Sequence, residues 1–339
     1  MATRLEVHRQ VLKLIISTTV FLLVPGNGTA LADGPDVIST YDLMQAARNG
    51  DARAIFQYGS RLESGDHIAR DSLEAFSWYL PAMVRGVYGA GEKAKAVFEV
   101  LDKDMAKNRA AVEKRFTAAK QSGNKDDATR YNIVRFNLCE EKDPEPAKHC
   151  EKYFNQLMAD ASQGDADSMF WLGYAYSPRS YWANDAKHVE WMQKASDKGI
   201  SLASSKLSLH YLGGYKTPRD MALVEKWELR AAEQGNPYAM FSLAESYEDG
   251  TYGKADTVKA VQWFERAARA GVLKSAAYMS LLYRTGKYVP KNEQVAYRWY
   301  KVTQLKLEEV PEMVSLRARL SAEEAARAEK EAEEIRKQF

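Results

Sequence analysis

Small and large residues alternate along this chain in a fixed register. Counting from glycines 50, 164, 199, 235 and 271, a small residue stands four positions on: Ala54, Ser168, Ala203, Ala239 and Ser275. A large one stands eight on (Tyr58, Leu172, Leu207, Leu243, Met279) and a small one nine on (Gly59, Gly173, Ser208, Ala244, Ser280). Twelve on come Leu62, Tyr176, Tyr211, Tyr247 and Tyr283. These offsets share one face of a helix with about 3.6 residues per turn. Small residues at two of them admit a second helix closely, and the large ones fill the groove beside it. Fifteen on, Gly65, Gly214, Gly250 and Gly286 predict a left-handed end to that helix. A second helix then carries a tryptophan. In one unit, Thr217-Pro218 predicts its side-chain cap and first helical position.

The same register spaces whole units. Glycines at 50, 86, 123, 164, 199, 235 and 271 are separated by 36, 37, 41, 35, 36 and 36 residues. Trp191, Trp227, Trp263 and Trp299 are each 36 apart, and Trp78 precedes Gly86 by the same eight residues that separate Trp191 from Gly199. Two residue types on one period mark an internal repeat. Each unit reads as a helix–turn–helix hairpin whose apolar face is buried only by stacking on its neighbours. The expectation is therefore one all-α array, not the two or three domains that length alone suggests.

The unit 236–271 contains Ala239-x3-Leu243-Ala244-x2-Tyr247, then Gly250-Thr251-Tyr252-Gly253, Asp256-x2-Lys259-Ala260-x2-Trp263 and Ala267-Ala268-x2-Gly271. This resembles the Sel-one-like repeat, a relative of the tetratricopeptide repeat. The resemblance implies a right-handed α/α superhelical solenoid of about seven hairpins of ~36 residues, two of them degenerate. Regular units are expected at 51–86, 165–199, 200–235, 236–271 and 272–307, with a degenerate stretch at 87–164. That stretch is either two degenerate repeats or an insertion, and Glu92 to Gln121 is either a helix pair or one long helix. An N-terminal capping helix is expected over 33–50 and charged capping helices over 308–339. There Ser321-Ala322-Glu323-Glu324 forms a capping box, with Glu323/Arg327 and Glu333/Lys337 as i,i+4 pairs.

Composition adds exclusions. Hydrophobic residues are 45% and charged residues 28% of 339, which is ordinary for a globular chain. Arg4, Arg9 and Lys13 precede an uncharged stretch from Leu14 to Val24, then Pro25-Gly26 and Ala30-Leu31-Ala32. This is the layout of a secretory signal peptide, with cleavage expected after Ala32 and a periplasmic or secreted product. Residues 1–32 hold three basic and one acidic side chain of the 48 and 46 in the chain, leaving 45 of each beyond them. The net charge of +2 thus belongs to that segment. A balanced remainder argues against a nucleic-acid partner or an anionic membrane surface. The apolar run from Leu14 to Val24 is too short to span a bilayer, so no stable membrane insertion is expected after cleavage. A monomer is favoured.

Candidate chemistry is sparse. Cys139 and Cys150 flank Asp143-Pro144-Glu145-Pro146, and in an oxidising compartment they are expected to form a disulfide adding about 3 kcal/mol. The Cys-x-x-Cys spacing of a redox pair is absent. His8, His67, His149, His188 and His210 include no one-turn pair, and no nucleophile elbow, phosphate loop or zinc helix occurs. No metal, cofactor or catalytic residue is expected. By resemblance, the first helix of each hairpin lines a concave groove, at offsets 3, 6, 10 and 13 from the marker glycine. The groove row is then Phe56, Phe170, Tyr174, Leu209, Tyr238, Phe241, Glu245, Leu281 and Arg284, with Ser60, Ser205 and Ala277 among them. It either receives a peptide or packs against neighbouring units. The expected function is a non-catalytic exported scaffold or adaptor for a protein or peptide partner in the envelope, serving signalling regulation, complex assembly or host contact. The alternative is a glycan- or peptidoglycan-binding module or a cell-wall-acting enzyme.

Overall fold

Helix is the regular structure throughout the described residues of the computed structural model, which are 38–139, 146–178, 180–213, 218–305 and 310–338. The expected export signal, the proline loop at 143–145, Gly214 and Thr217 lie outside them. The chain divides into two compact units, the second beginning at Ser204. The first contains α1 (Thr40–Arg48), α2 (Ala52–Ser64), α3 (Ser72–Val84), α4 (Ala90–Leu101), α5 (Met105–Gln121), α6 (Lys125–Asn137), α7 (Pro146–Ser162), α8 (Ala166–Ala175) and α9 (Asp185–Asp197). Helix α10 (Ser201–Gly213) begins just before the division. The second unit continues with α11 (Met221–Glu233), α12 (Pro237–Asp249), α13 (Thr257–Arg269), α14 (Leu273–Thr285), α15 (Glu293–Val302), α16 (Pro311–Arg319) and α17 (Ala322–Arg336). The stretch from Glu92 to Gln121 is two helices, α4 and α5, joined by a 3-10 turn at Asp102–Asp104.

Helix starts follow one rule. Each tryptophan-bearing helix is preceded by Asp or Asn, and Asp71, Asn184, Asp220, Asp256 and Asn292 each accept the backbone N–H three residues on, at 2.9, 3.0, 3.0, 3.0 and 3.0 Å. Side-chain acceptors here satisfy N–H groups that have no partner inside the helix. This corrects the reading of Thr217-Pro218: Asp220 is the cap, α11 starts at Met221, and Pro218 lies ahead of the helix. A carboxylate gains additionally from the positive end of the helix dipole. The glycines that follow α2, α12 and α14 are left-handed, with φ of 83° at Gly65, 78° at Gly250 and 76° at Gly286. At Gly250 a Cβ would also stand 2.9 Å from the Ala255 nitrogen, so no other residue fits the turn.

The four-offset face is buried in every regular unit except at Tyr211 and Tyr283, which are half-buried. Its small residues set the interhelix distance. A Cβ on Gly173 would lie 3.1 Å from the Met192 nitrogen and 3.2 Å from Trp191 Cβ, so α8 and α9 meet almost backbone to backbone. Across the junctions, Ala231, Ala232, Ala267 and Ala268 are fully buried. Trp78, Trp227, Trp263 and Trp299 are buried as well, and Trp191 is half-buried. The side chain three residues after the indole lies over it in three units: Lys194 at 4.0 Å, Arg230 at 5.7 Å and Arg266 at 4.0 Å. One helical turn brings the cation onto the ring while its aliphatic stem shields the outer edge.

Charge replaces apolar packing where α5 and α6 meet α3. Glu74 accepts from Trp78 Nε1 at 3.1 Å, Arg115 at 3.0 Å, Arg130 at 2.9 Å and the Tyr131 hydroxyl at 2.6 Å. Asp71 and Asp127 take the other guanidinium arms, at 2.6 and 2.8 Å, and Arg130 stacks 4.2 Å from the Trp78 ring. Every oxygen of the three carboxylates accepts a hydrogen bond, which makes a part-buried network tolerable. At the C-terminus, Ser321 and Glu324 form the expected capping box. Ala325, Ala328, Ala332 and Ile335 of α17 are buried beside α15, where Tyr297 donates to Glu329 at 2.8 Å and Arg298 pairs with Glu331 at 2.9 Å. The Glu333–Lys337 pair forms at 3.5 Å, and Glu323 and Arg327 form none.

Replacing Trp263 with Ala opens a large cavity in the second unit's core and is expected to cost about 3–5 kcal/mol, read as a lowered denaturant midpoint. Glu74→Gln leaves two guanidiniums facing a neutral amide. A loss of about 3 kcal/mol is expected in the same assay, and an unchanged midpoint would remove the network from the list of what holds α5 and α6 in place.

Candidate functional site

The predicted groove residues divide between the two units. In the second unit, Leu209 of α10 and Leu281 of α14 are 45% and 39% exposed, and Glu245 of α12 is exposed. Tyr238, Phe241 and Arg284 are half-buried. These six lie on the first helices of successive hairpins. In the first unit, Phe56 is half-buried against Tyr79, ring centroids 5.6 Å apart. Phe170 and Tyr174 are 0% and 7% exposed, each edge-on to Trp171 at 5.3 and 5.8 Å. They are interior residues with no ring face to offer a ligand. The reason lies in the helices around α8. It packs on α7 and α9 as the repeat requires, and α3 and α6 also reach it. Arg85 at the end of α3 pairs with Asp167 at 2.6 Å.

The surface formed by α12 and α14 is continuous. Lys274 reaches the Glu245 carboxylate at 3.4 Å and lies 4.5 Å from the Phe241 ring centroid. Phe241 meets Phe264 at 5.6 Å, and Phe264 meets Tyr278 at 4.7 Å. The Tyr278 hydroxyl donates to Glu248, which Lys287 also pairs at 3.0 Å. Partial burial pushes the Glu248 carboxyl upward, but donation from Tyr278 and Lys287 outweighs it and leaves the pKa below the usual carboxylate range. Burial, reinforced by the Glu248 charge, pushes the Tyr278 phenol up to about 12. Both carboxylates are thus neutralised by their neighbours. Arg284 has no carboxylate partner among the described residues. The face presents leucine, aromatic edges and cationic tips, groups suited to binding rather than to proton transfer or nucleophilic attack.

Lys206 of α10 is half-buried, and burial lowers its pKa to about 8. His188 is buried with Nδ1 2.8 Å from the Gly173 carbonyl oxygen, and His67 is exposed in a turn. The His149 side chain lies outside the described residues. Among the described residues no group of three His, Cys, Asp or Glu is placed to hold a metal ion, and no helix is long and apolar enough to cross a membrane.

Cys139 and Cys150 are bonded, with Cα atoms 5.9 Å apart. Around them is a cluster that the repeat register does not reveal. The Trp182 ring stacks on Phe154 at 4.5 Å and 9° and lies 6.1 Å from Phe136. Tyr176 meets the other edge of Phe154 at 5.5 Å, and Tyr181, 60% exposed, stands edge-on to Trp182 at 5.4 Å. Two signals in the sequence mark this place: Trp182 is off the 36-residue ladder, and position 179 has Arg where four other units have glycine.

With these features in place, the comparison with known proteins is direct. Sel1 repeats match at residues 52–82, 166–200, 201–236, 237–272 and 273–301, and the chain belongs to the Sel1-repeat family. A Sel1 repeat protein from Oxalobacter formigenes has 17% identity, covering 78% of this chain and 99% of its own, with a TM-score of 0.45. A protective antigen present in uropathogenic Escherichia coli strains, displaying an SLR fold, has 16% identity over 88% of this chain and 79% of its own, with a TM-score of 0.33. No curated protein matches the sequence. Sel1 repeats generally mediate protein–protein interaction.

The Lys206 ammonium opposes folding at full strength below pH 8, where it is charged in both folded and unfolded chains. Between about 8 and the ordinary 10.5 the unfolded chain holds the proton more tightly, so stability rises with pH. Lys206→Met is therefore expected to raise the melting temperature at pH 7, with the gain shrinking across that interval. Melts of both proteins at pH 7, 9 and 10.5 test it.

Proposed function

We propose that this protein is a non-catalytic scaffold or adaptor that captures a protein or peptide partner on the first-helix face of its second unit. The observation behind the reading is the exposure of Leu209 and Leu281 beside the half-buried Tyr238 and Phe241. Packing within each hairpin is already complete on the four-offset face; Phe241 adds to the core through Phe264, while Leu209 and Leu281 stand clear of it at the surface. Apolar groups edged by cations on a rigid helical surface match the requirements of peptide recognition. Membership of a family that generally mediates protein interaction supports the same reading. Glu245 and Arg284 supply polar contacts at the margin.

The partner belongs to the cell envelope or the exterior in this reading. The Cys139–Cys150 bond suits an oxidising compartment, and the basic, apolar and small-residue order of residues 1–32 suits an exported precursor. Scaffolding of a complex, signalling regulation and contact with a host all fit such a location.

The test is affinity capture from envelope extracts with the chain from residue 33 onward, compared with a Leu209→Ser/Leu281→Ser double variant. Capture is expected to fall by about tenfold, the loss typical of two interface anchors. Helicity and melting should move little, since both leucines are exposed. Equal capture by both proteins would reject this face as the binding surface.

A further inference from the structure

The α8–α9 connection lacks the glycine that closes the corresponding turn elsewhere. In the units with Gly65, Gly250 and Gly286, a left-handed residue ends the first helix. The turn is then tied by one backbone bond back to that helix: Asp71 N–H to the Leu62 carbonyl at 2.8 Å, Asp256 to Tyr247 at 2.8 Å and Asn292 to Tyr283 at 2.9 Å. Between α8 and α9 the same bond is present, Asn184 N–H to the Tyr176 carbonyl at 2.9 Å, although no glycine stands at position 179. Helix α8 is also shorter, 10 residues against 13 for α12. Something other than backbone freedom holds this turn closed.

Part of that hold is local: Ser180 N–H donates to the Ser177 carbonyl at 3.0 Å, Ala183 N–H to the Ser180 carbonyl at 3.3 Å, and the Ser180 hydroxyl to the Ala175 carbonyl. The aromatic stack supplies the part that comes from outside the turn, and the disulfide sets the stack. Phe154 stands one helical turn after Cys150 on α7, and both are buried. Phe136 stands three residues before Cys139 at the end of α6. Joining the two cysteines therefore ties α6 to α7 within about one helical turn of both phenylalanines that meet Trp182.

We propose that the Cys139–Cys150 pair is a redox switch for the Tyr181–Asn184 turn: oxidised, it seats Trp182 and holds Tyr181 at a fixed place on the surface; reduced, it releases both. Cys139 is half-buried and Cys150 buried, so Cys139 is the accessible sulfur. A dithiol reductant attacks Cys139 Sγ, and Cys150 leaves as a thiolate that takes a proton. The second thiol of the reductant then resolves the mixed disulfide, releasing Cys139 as a thiol and the reductant as a cyclic disulfide. Two electrons and two protons pass to the protein. The surface offered around Tyr181 then differs between oxidising and reducing surroundings, independently of the first-helix face of the second unit.

Amide hydrogen exchange on the full chain, with and without dithiothreitol, tests the switch. Reduction is expected to speed exchange at Ala183 and Asn184 by about tenfold. Asp71 and Asp256, whose N–H groups close glycine-bearing turns, should not change. Phe154→Leu keeps an apolar, somewhat smaller side chain and leaves the disulfide intact but removes the stack, and in oxidised form it should show the same loosening. Unchanged exchange at Ala183 and Asn184 on reduction overturns the proposal. So does loss of protection at Asp71 along with them, which would make the disulfide a staple for the whole unit. Full protection in oxidised Phe154→Leu would also overturn it, by breaking the link through the aromatic stack.

Discussion

Everything in this protein follows from one deficiency of its building block. A hairpin of two 13-residue helices has one apolar stripe per helix and cannot enclose it alone, so the stripe must be covered by the next hairpin. Covering it repeatedly requires a constant interhelix distance. The small residues at offsets 4 and 9 set that distance, and the alanine pairs ahead of Gly235 and Gly271 set it again at those junctions. The indoles then fill the wedge left between units. Caps matter more here than in a compact domain. Each short helix has a large fraction of its backbone groups at an end, and Asp, Asn and glycine satisfy them within the turn.

Where the stretch between the regular units departs from this spacing, other interactions take over. Around Glu74, hydrogen-bonded charge replaces the missing apolar interlock between α3, α5 and α6. Around Cys139 and Cys150, a covalent link and stacked rings replace a glycine turn. Both devices lie in the first unit. They are more specific than apolar packing because each depends on partners far apart in sequence.

The two units differ in what they leave free. Helix α8 is surrounded by α3, α6, α7 and α9, so the row that would face a groove is consumed by the core. In the second unit the equivalent row stays at the surface. There the lysines of α14 and the following turn neutralise the carboxylates of α12, which leaves an apolar strip with a cationic margin. The proposed binding face rests on that difference in covering, not on any difference in residue type: Phe170 and Phe241 hold the same offset in their hairpins.

The sequence alone determined the hairpin, its period and the buried face, and it raised the expectation of a Cys139–Cys150 bond that the structure contains. The first three depend on neighbours within one or two turns or on a repeat that announces itself. The cap at Asp220 is legible in the same local terms, but Thr217-Pro218 is a competing signal of the same kind a few residues ahead of it. Only the tertiary structure decided that Phe170 and Tyr174 are interior while Leu209 and Leu281 are exposed, that Glu74 gathers two arginines from α5 and α6, and that Trp182 seats on Phe154. Helical periodicity says which side a residue faces. It does not say whether a second layer of chain, folded back from dozens of residues away, covers that side.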